Sequence, residues 1–272
     1  MTDAAAAKRR TAATYDAAAD TFDDPALAFW DRFGRRTVER LVLAPGAHVL
    51  DVCCGAGASA IPAAEAVGPT GHVVGVDLAG RLVDLARAKA ARRGLSNLEL
   101  RIADMEALGF PAGAFDAVVC VFGIFFVPDM AYALRELWRL TAPGGRLAVT
   151  TWGPRLFAPA DGAFWDAVGA ERPDLRRAFA PWERLSTPAD VVALFADAGA
   201  AAPVAVAEAG THALRSADDW WRIAMGSGYR ATIDALDAGV RARLREANLG
   251  VLRAADVRAI ETNVVYAIAA KR

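Results

Sequence analysis

The stretch that most constrains this chain is His48-Val-Leu-Asp51-Val-Cys53-Cys-Gly55-Ala-Gly57-Ala-Ser-Ala60. Val49, Leu50 and Val52 form a short apolar run that reads as a buried strand, and an Ala- and Ile-rich helix follows the glycines. Glycine between a strand and a helix lets a ligand approach the backbone closely, because no Cβ stands in the way. Open α/β sheets bind their ligands outside the carboxyl ends of their strands. Asp51 and the Gly55/Gly57 loop fall at that edge.

A second apolar run, Gly71-His-Val-Val-Gly-Val-Asp77, also ends in an acid. Asp77 follows Gly57 by about 20 residues, the separation at which a carboxylate meets ribose hydroxyls in dinucleotide folds. Two cofactor classes share this layout. A dinucleotide rests a diphosphate on the helix N-terminus. S-adenosylmethionine has no phosphate and carries a cationic sulfonium and an ammonium. An acid at position 51, just ahead of the glycines, suits a cation and repels a diphosphate, so Asp51 favours the sulfonium cofactor.

Strand and helix patterns alternate from about 48 to 152, which implies a mostly parallel sheet. Strands are expected near 48–52, 72–77, 98–103, 115–121 and 146–152, with helices near 58–67 and 80–93. Met130, Ala133, Leu134, Leu137 and Trp138 mark a further amphipathic helix. Residues 1–44 read as N-terminal helices covering the cofactor site, and 45–152 as the binding core. Beyond Trp152 the rhythm changes. Residues 153–186 and 211–258 read as helical cap inserts over the substrate. Residues 187–210 and 259–272 complete the sheet, with strands near 203–209 and 263–270. Thr187-Pro-Ala-Asp190 spells a capping box with proline in the first helical position.

Composition narrows the partners. The chain has 272 residues, a formal net charge of −1 and no basic run, which argues against nucleic acid. Apolar residues make up 55% of it, enough for a sizeable core. No apolar run reaches membrane-spanning length, and the N-terminus lacks a secretory apolar segment. Three cysteines, two of them adjacent, form neither a zinc pattern nor a disulfide framework. A cytoplasmic setting without membrane insertion is the expectation; homo-oligomer formation is left open.

Together these landmarks resemble the class I S-adenosylmethionine-dependent methyltransferases, in the group with the ubiquinone/menaquinone-biosynthesis and natural-product enzymes. The resemblance covers residues 12–152 well and the last two strands in position only. It implies a Rossmann-like, doubly wound α/β fold with a seven-stranded, mostly parallel sheet, an antiparallel last strand and helical cap inserts. It places Asp51, Cys53, Gly55 and Gly57 in the cofactor loop, with Cys53 where many relatives have glycine. Asp77 would take the ribose hydroxyls and Leu78 would pack on the adenine. Asp104 would accept from the adenine amine beside Met105. Val121 and Phe122 would flank the methionine end, and Pro143-Gly144-Gly145 before the fifth strand is a family habit. Tyr15 would close over the methionine moiety, with Phe22, Phe29 and Trp30 toward the acceptor.

The expected reaction is C- or O-methylation of a small, largely apolar metabolite or natural-product intermediate. Phe125 and Phe126 would floor the substrate pocket, and Trp165 and Trp220 of the inserts would contact the acceptor. Glu171 and His212 are the candidate general bases. No acid/histidine cluster has metal-ligand spacing, so no metal is expected. Two other readings fit parts of the pattern: an NAD(P)-dependent oxidoreductase, since Gly55-Ala-Gly57-Ala-Ser-Ala60 matches the dinucleotide spacing, and a non-catalytic S-adenosylmethionine-binding module.

Overall fold

The computed structural model describes residues 2–176 and 180–272. A seven-stranded sheet forms its centre, from β1 (His48–Val52), β2 (His72–Asp77), β3 (Leu98–Ile102), β4 (Phe115–Val121), β5 (Thr141–Trp152), β6 (Val204–Glu208) and β9 (Val264–Ala270). Their spatial order is β3-β2-β1-β4-β5-β9-β6. β1 to β5 pair in parallel, and β9 runs antiparallel to both β5 and β6. The expected doubly wound sheet with a reversed last strand is therefore present.

The apolar runs of β1 and β2 are continuous because both faces of these strands are covered. Val49 packs toward α2 (Phe29–Leu41), α3 (Ala60–Val67) and α4 (Gly80–Arg92). Leu50 and Val52 pack on the other face, which is covered by α5 (Met130–Leu140) and α7 (Pro188–Asp197). Each such side chain, fully buried, contributes roughly 1.5–3 kcal/mol. Local signals set the helix ends. The Thr187 hydroxyl accepts from the Asp190 amide while the Asp190 carboxylate accepts from the Thr187 amide, and Pro188 opens α7. Asp129 caps α5 by accepting from the Tyr132 amide.

β5 begins at Thr141, earlier than the expected Arg146. Its register with β4 jumps from Phe115↔Thr141 to Ala117↔Arg146, so Ala142–Gly145 bulge out. Gly144, at φ +79, supplies the left-handed residue of that bulge.

The two stretches expected to cap the site form one layer. α6 (Ala160–Glu171) packs against α10 (Ala238–Ala254), and α10 against α8 (Ala217–Met225). Trp220 of α8 is fully buried there, and its indole N–H donates to Asn248 Oδ1 at 2.8 Å. α9 (Arg230–Asp234) lies beside α1 (Thr2–Ala18), and a short ribbon of β7 (Thr211–Ala213) with β8 (Ala259–Glu261) closes the layer. Among the described residues no helix is long and apolar enough to cross a membrane.

α2 reaches the glycine loop through Gly34. A Cβ at that position would stand 2.3 Å from the Ala58 carbonyl oxygen. Gly34→Ala is therefore expected to push α2 off the loop and to destabilise the protein by about 1–3 kcal/mol, read as a lower urea midpoint. Cofactor affinity should fall with it, because Ala58 and Ser59 belong to the cleft wall.

Candidate active site

The carboxyl ends of β1 to β5 open into one cleft, roofed by α1 and the cap layer. At one end its wall is built by Asp77, Leu78, Asp104 and Met105 from the tips of β2 and β3. In the middle stand Cys53, Gly55, Val121 and Phe122. At the other end are Trp152, Phe157, Trp182 and Tyr229. Tyr15, Phe22 and Trp30 line it from the N-terminal helices, and Phe125 and Phe126 from the turn after β4.

Asp77 organises the first end. Its Oδ2 accepts from the Gly55 amide at 2.9 Å and its Oδ1 from the Ala79 amide at 2.8 Å. Burial pushes its pKa up, against the pull of those amides. Two further loop amides are also engaged: Cys54 N–H donates to the Val76 carbonyl and Gly57 N–H to the Cys54 carbonyl. At the start of α3, where a diphosphate would rest, the Ala60 amide faces Asp51. The Ser59 hydroxyl donates to Asp51 Oδ2 at 2.7 Å. A diphosphate there would find the Cys54, Gly55 and Gly57 amides already bonded elsewhere and an acid behind Ser59, which favours a cationic nucleoside over a dinucleotide.

Comparison with known proteins agrees. Residues 49–145 match the methyltransferase domain family. The chain is 39% identical over 144 residues to aklanonic acid methyltransferase DauC of Streptomyces sp. (strain C5), covering 53% of this chain and 66% of that one. It is 38% identical over 117 residues to a demethylmenaquinone methyltransferase of Listeria monocytogenes serotype 4a (strain HCC23), covering 43% and 49%. Residues 49–145 of this chain form a methyltransferase domain. The matched stretches span about half to two thirds of those relatives' own lengths. Among solved structures, the YcgJ protein of Bacillus subtilis superposes with a TM-score of 0.58 at 17% identity, covering 89% of this chain and 99% of that one, a likeness of fold.

Around this cleft the expected site residues divide. Tyr15, Cys53, Gly55, Asp77, Leu78, Asp104, Met105, Val121, Phe122, Phe22, Trp30, Phe125 and Phe126 all lie on the cleft wall. Asp51 and Gly57 do not. Gly57, at φ +87, turns its missing Cβ toward Ile61 of α3 and Ala86 of α4, so it lets the loop close on those two helices. Asp51 is fully buried behind Ser59, which stands between it and the cleft. Its Oδ1 has no hydrogen-bond partner among the described residues. Burial raises its pKa to about 7, with the Ser59 bond opposing. An acid raised in the fold holds its proton more tightly there than in the unfolded chain. Its contribution to stability is therefore greatest below about pH 4 and is lost as the pH rises to about 7. Asp51→Asn should remove this dependence. The wild-type-minus-variant difference in urea-derived stability should fall steadily across that window.

Cys53 explains how a non-glycine residue fits the loop. It sits at φ +61, a region in which an L-residue costs about 1–2 kcal/mol. Its thiol packs on Cys120 and on Gly123, where a Cβ would come within 2.5 Å of Cys53 Cβ. The hydrogen bond with Cys120 and burial hold the Cys53 thiol well above its ordinary pKa, so it is inert. Phe122 (φ +53) and Phe157 (φ +60) are two further left-handed residues on the same wall. Residues in such conformations gather at ligand sites, where the surroundings hold them.

Asp104 is already occupied. Lys8 of α1 donates to its Oδ2 at 2.6 Å and also pairs with Glu106. Burial disfavours the ammonium, but the bonds to Asp104 and Glu106 prevail and raise the Lys8 pKa. The roof is thus tied to the β3 end of the cleft through a residue the sequence reading overlooked.

The candidate bases lie elsewhere. Glu171 points to the outside of α6, where Arg243 donates to it at 2.8 Å and holds its pKa down. His212 packs edge-on to Phe29 in the β7 ribbon, and burial lowers its pKa; it is not on the cleft wall. Trp220 lies inside the cap layer, and the Trp165 indole donates to Asp161 at 3.0 Å, so neither lines the cleft. Their expected places are taken by Trp152, Phe157, Trp182 and Tyr229. Among the described residues, no three His, Cys, Asp or Glu side chains gather as metal ligands would.

Proposed function

We propose that this chain transfers a methyl group from S-adenosylmethionine to a small, largely apolar metabolite, at oxygen or carbon. One observation carries this reading: a glycine loop whose Gly55 amide is held by Asp77, and whose Cys54 and Gly57 amides are also bonded within the protein, opens directly onto an aromatic chamber. When bound, the sulfonium supplies an electrophilic methyl group. Asp77 would take the ribose hydroxyls in charge-assisted bonds, and Leu78 and Met105 would sandwich the adenine. Asp104, held by Lys8, would face the adenine amine. Phe122, Trp30 and Trp152 shape the floor on the acceptor side. Phe122 stacks on Trp152 with ring centroids 3.8 Å apart, and Trp152 meets Trp30 at 5.5 Å. The protein's main work is alignment and exclusion of water.

The relatives named for aklanonic acid and demethylmenaquinone support a small-molecule acceptor. The net charge of −1 supports a role without nucleic acid, and the cytoplasm is the proposed location. Incubation with methyl-labelled S-adenosylmethionine and a panel of hydroxylated aromatics tests the reading. Label transfer with equimolar S-adenosylhomocysteine is expected; a folded, cofactor-binding protein that transfers no label to any acceptor would favour the non-catalytic reading.

A further inference from the structure

The wall of the cleft beyond β5 is almost wholly apolar. Trp152, Leu156, Phe157 and Trp182 form most of it; the hydroxyl-bearing residues there are Ser227 and Tyr229, with the Tyr15 Oη of α1 lying near Gly228 between them. Ser227 donates back to the Ala224 carbonyl. Tyr229 is different. Its ring is gripped by Phe157, Phe164, Trp165 and Trp220, and its Oη donates to Asp161 Oδ1 at 2.5 Å. The same oxygen accepts from the Trp165 indole, which fixes the carboxylate in place. Asp161 itself is off the wall, one bond behind Tyr229.

We propose that Tyr229, backed by Asp161, takes the proton of the acceptor, and that the acceptor is therefore a hydroxylated aromatic or enol methylated at oxygen. This rests on the methyl-transfer reading above. The acceptor hydroxyl passes its proton to Tyr229 Oη as Tyr229 passes its own to Asp161. The acceptor oxygen's lone pair forms the new C–O bond, and the C–S bond breaks with its electron pair left on sulfur. Flat aromatic walls select a ring, and a single proton-accepting pair suits one weakly acidic hydroxyl. Burial raises the Asp161 pKa, against the bonds from Tyr229 and Trp165, and Glu183 acts on it with like charge. These are the ionisable groups that face it among the described residues: Tyr229 ahead of α9 and Glu183 in the Pro181–Leu185 turn. The other acids of α6 pair outward, Asp166 with Arg176 and Glu171 with Arg243.

The test compares two probes of like shape: 1-naphthol, neutral at neutral pH, and lawsone, a hydroxynaphthoquinone already ionised there. Asp161→Asn keeps an oxygen that accepts from both Trp165 and Tyr229, and Tyr229→Phe keeps the ring packing. Both variants should bind S-adenosylhomocysteine as the parent does. Both should lose about 100-fold in turnover of 1-naphthol and far less in turnover of lawsone. With 1-naphthol the parent's rate should rise with pH to a plateau as Asp161 ionises, and that inflection should vanish in Asp161→Asn. Equal losses on both probes, or an unmoved pH profile, would overturn the proton-accepting role. Turnover of neither probe by the parent while S-adenosylhomocysteine still binds would overturn the acceptor class. Absence of S-adenosylhomocysteine binding would instead bring down the underlying methyl-transfer reading.

Discussion

Asp77→Ala is expected to lose S-adenosylhomocysteine binding by at least about 100-fold and to destabilise the fold by about 2–4 kcal/mol. The size follows from what one carboxylate does. Both of its oxygens already hold loop amides, those of Gly55 and Ala79. Deleting the side chain strands two partly buried N–H donors, each at a cost of about 1–3 kcal/mol. It also removes the acceptor proposed for the ribose, and the glycine loop loses the anchor that presents Gly55 to the cleft. Asp77→Asn separates the two contributions. Its one acceptor oxygen can keep a single amide, and its NH2 opposes the other. It should therefore retain more stability than Asp77→Ala while binding the nucleoside almost as poorly. Urea unfolding and calorimetric titration of the same preparations read the two effects independently.

Trp152→Ala should be the most destabilising single truncation at the site, by about 3–5 kcal/mol. Trp152 closes β5 at the edge of the cleft and is only 3% exposed. It stacks on Phe122 with an interplanar angle of 11°, and it meets Phe29, Trp30, Phe33 and Phe157 edge-on or tilted. One indole thereby joins the N-terminal helices, the β4 turn and the cap. Its loss opens a cavity at the junction of three segments, and Phe122, held at φ +53, loses the face that supports it. Trp152→Phe should recover most of the stability, since a ring can still stack there. Thermal or urea midpoints rank the three proteins. A truncation costing under about 1 kcal/mol would show that this cluster does not hold the cap to the core.

The sheet and its order of elements were legible because their signals are local. Val49-Leu-Asp-Val52 and Val73-Val-Gly-Val76 are bounded by glycine turns, and Thr187-Pro-Ala-Asp190 spells its own helix start. The Asp77 end of the cleft was legible for the same reason: Asp77 lies at its strand tip, next to the amides it holds. The cap was not. Trp220 and Trp182 are equally aromatic in sequence, yet one is sealed against Asn248 and the other reaches the cleft. Only the packing of α8 on α10 decides between them. Glu171 read as an acid in an apolar insert, but Arg243, 72 residues away, draws it to the outside. Asp161 stood in the same insert unmarked, because its partner Tyr229 is 68 residues away. Asp51 was placed at the correct edge with the wrong direction. Strand alternation turns it toward α3, where Ser59 covers it.

The central claim is that Asp77 and the glycine loop it holds bind a cationic nucleoside and not a diphosphate. Isothermal titration of the purified chain with S-adenosylmethionine, and separately with NADH, tests it most directly. The account predicts saturable binding of S-adenosylmethionine that Asp77→Ala abolishes, and no heat from NADH. Saturable NADH binding, or no S-adenosylmethionine binding by the folded protein, would contradict it.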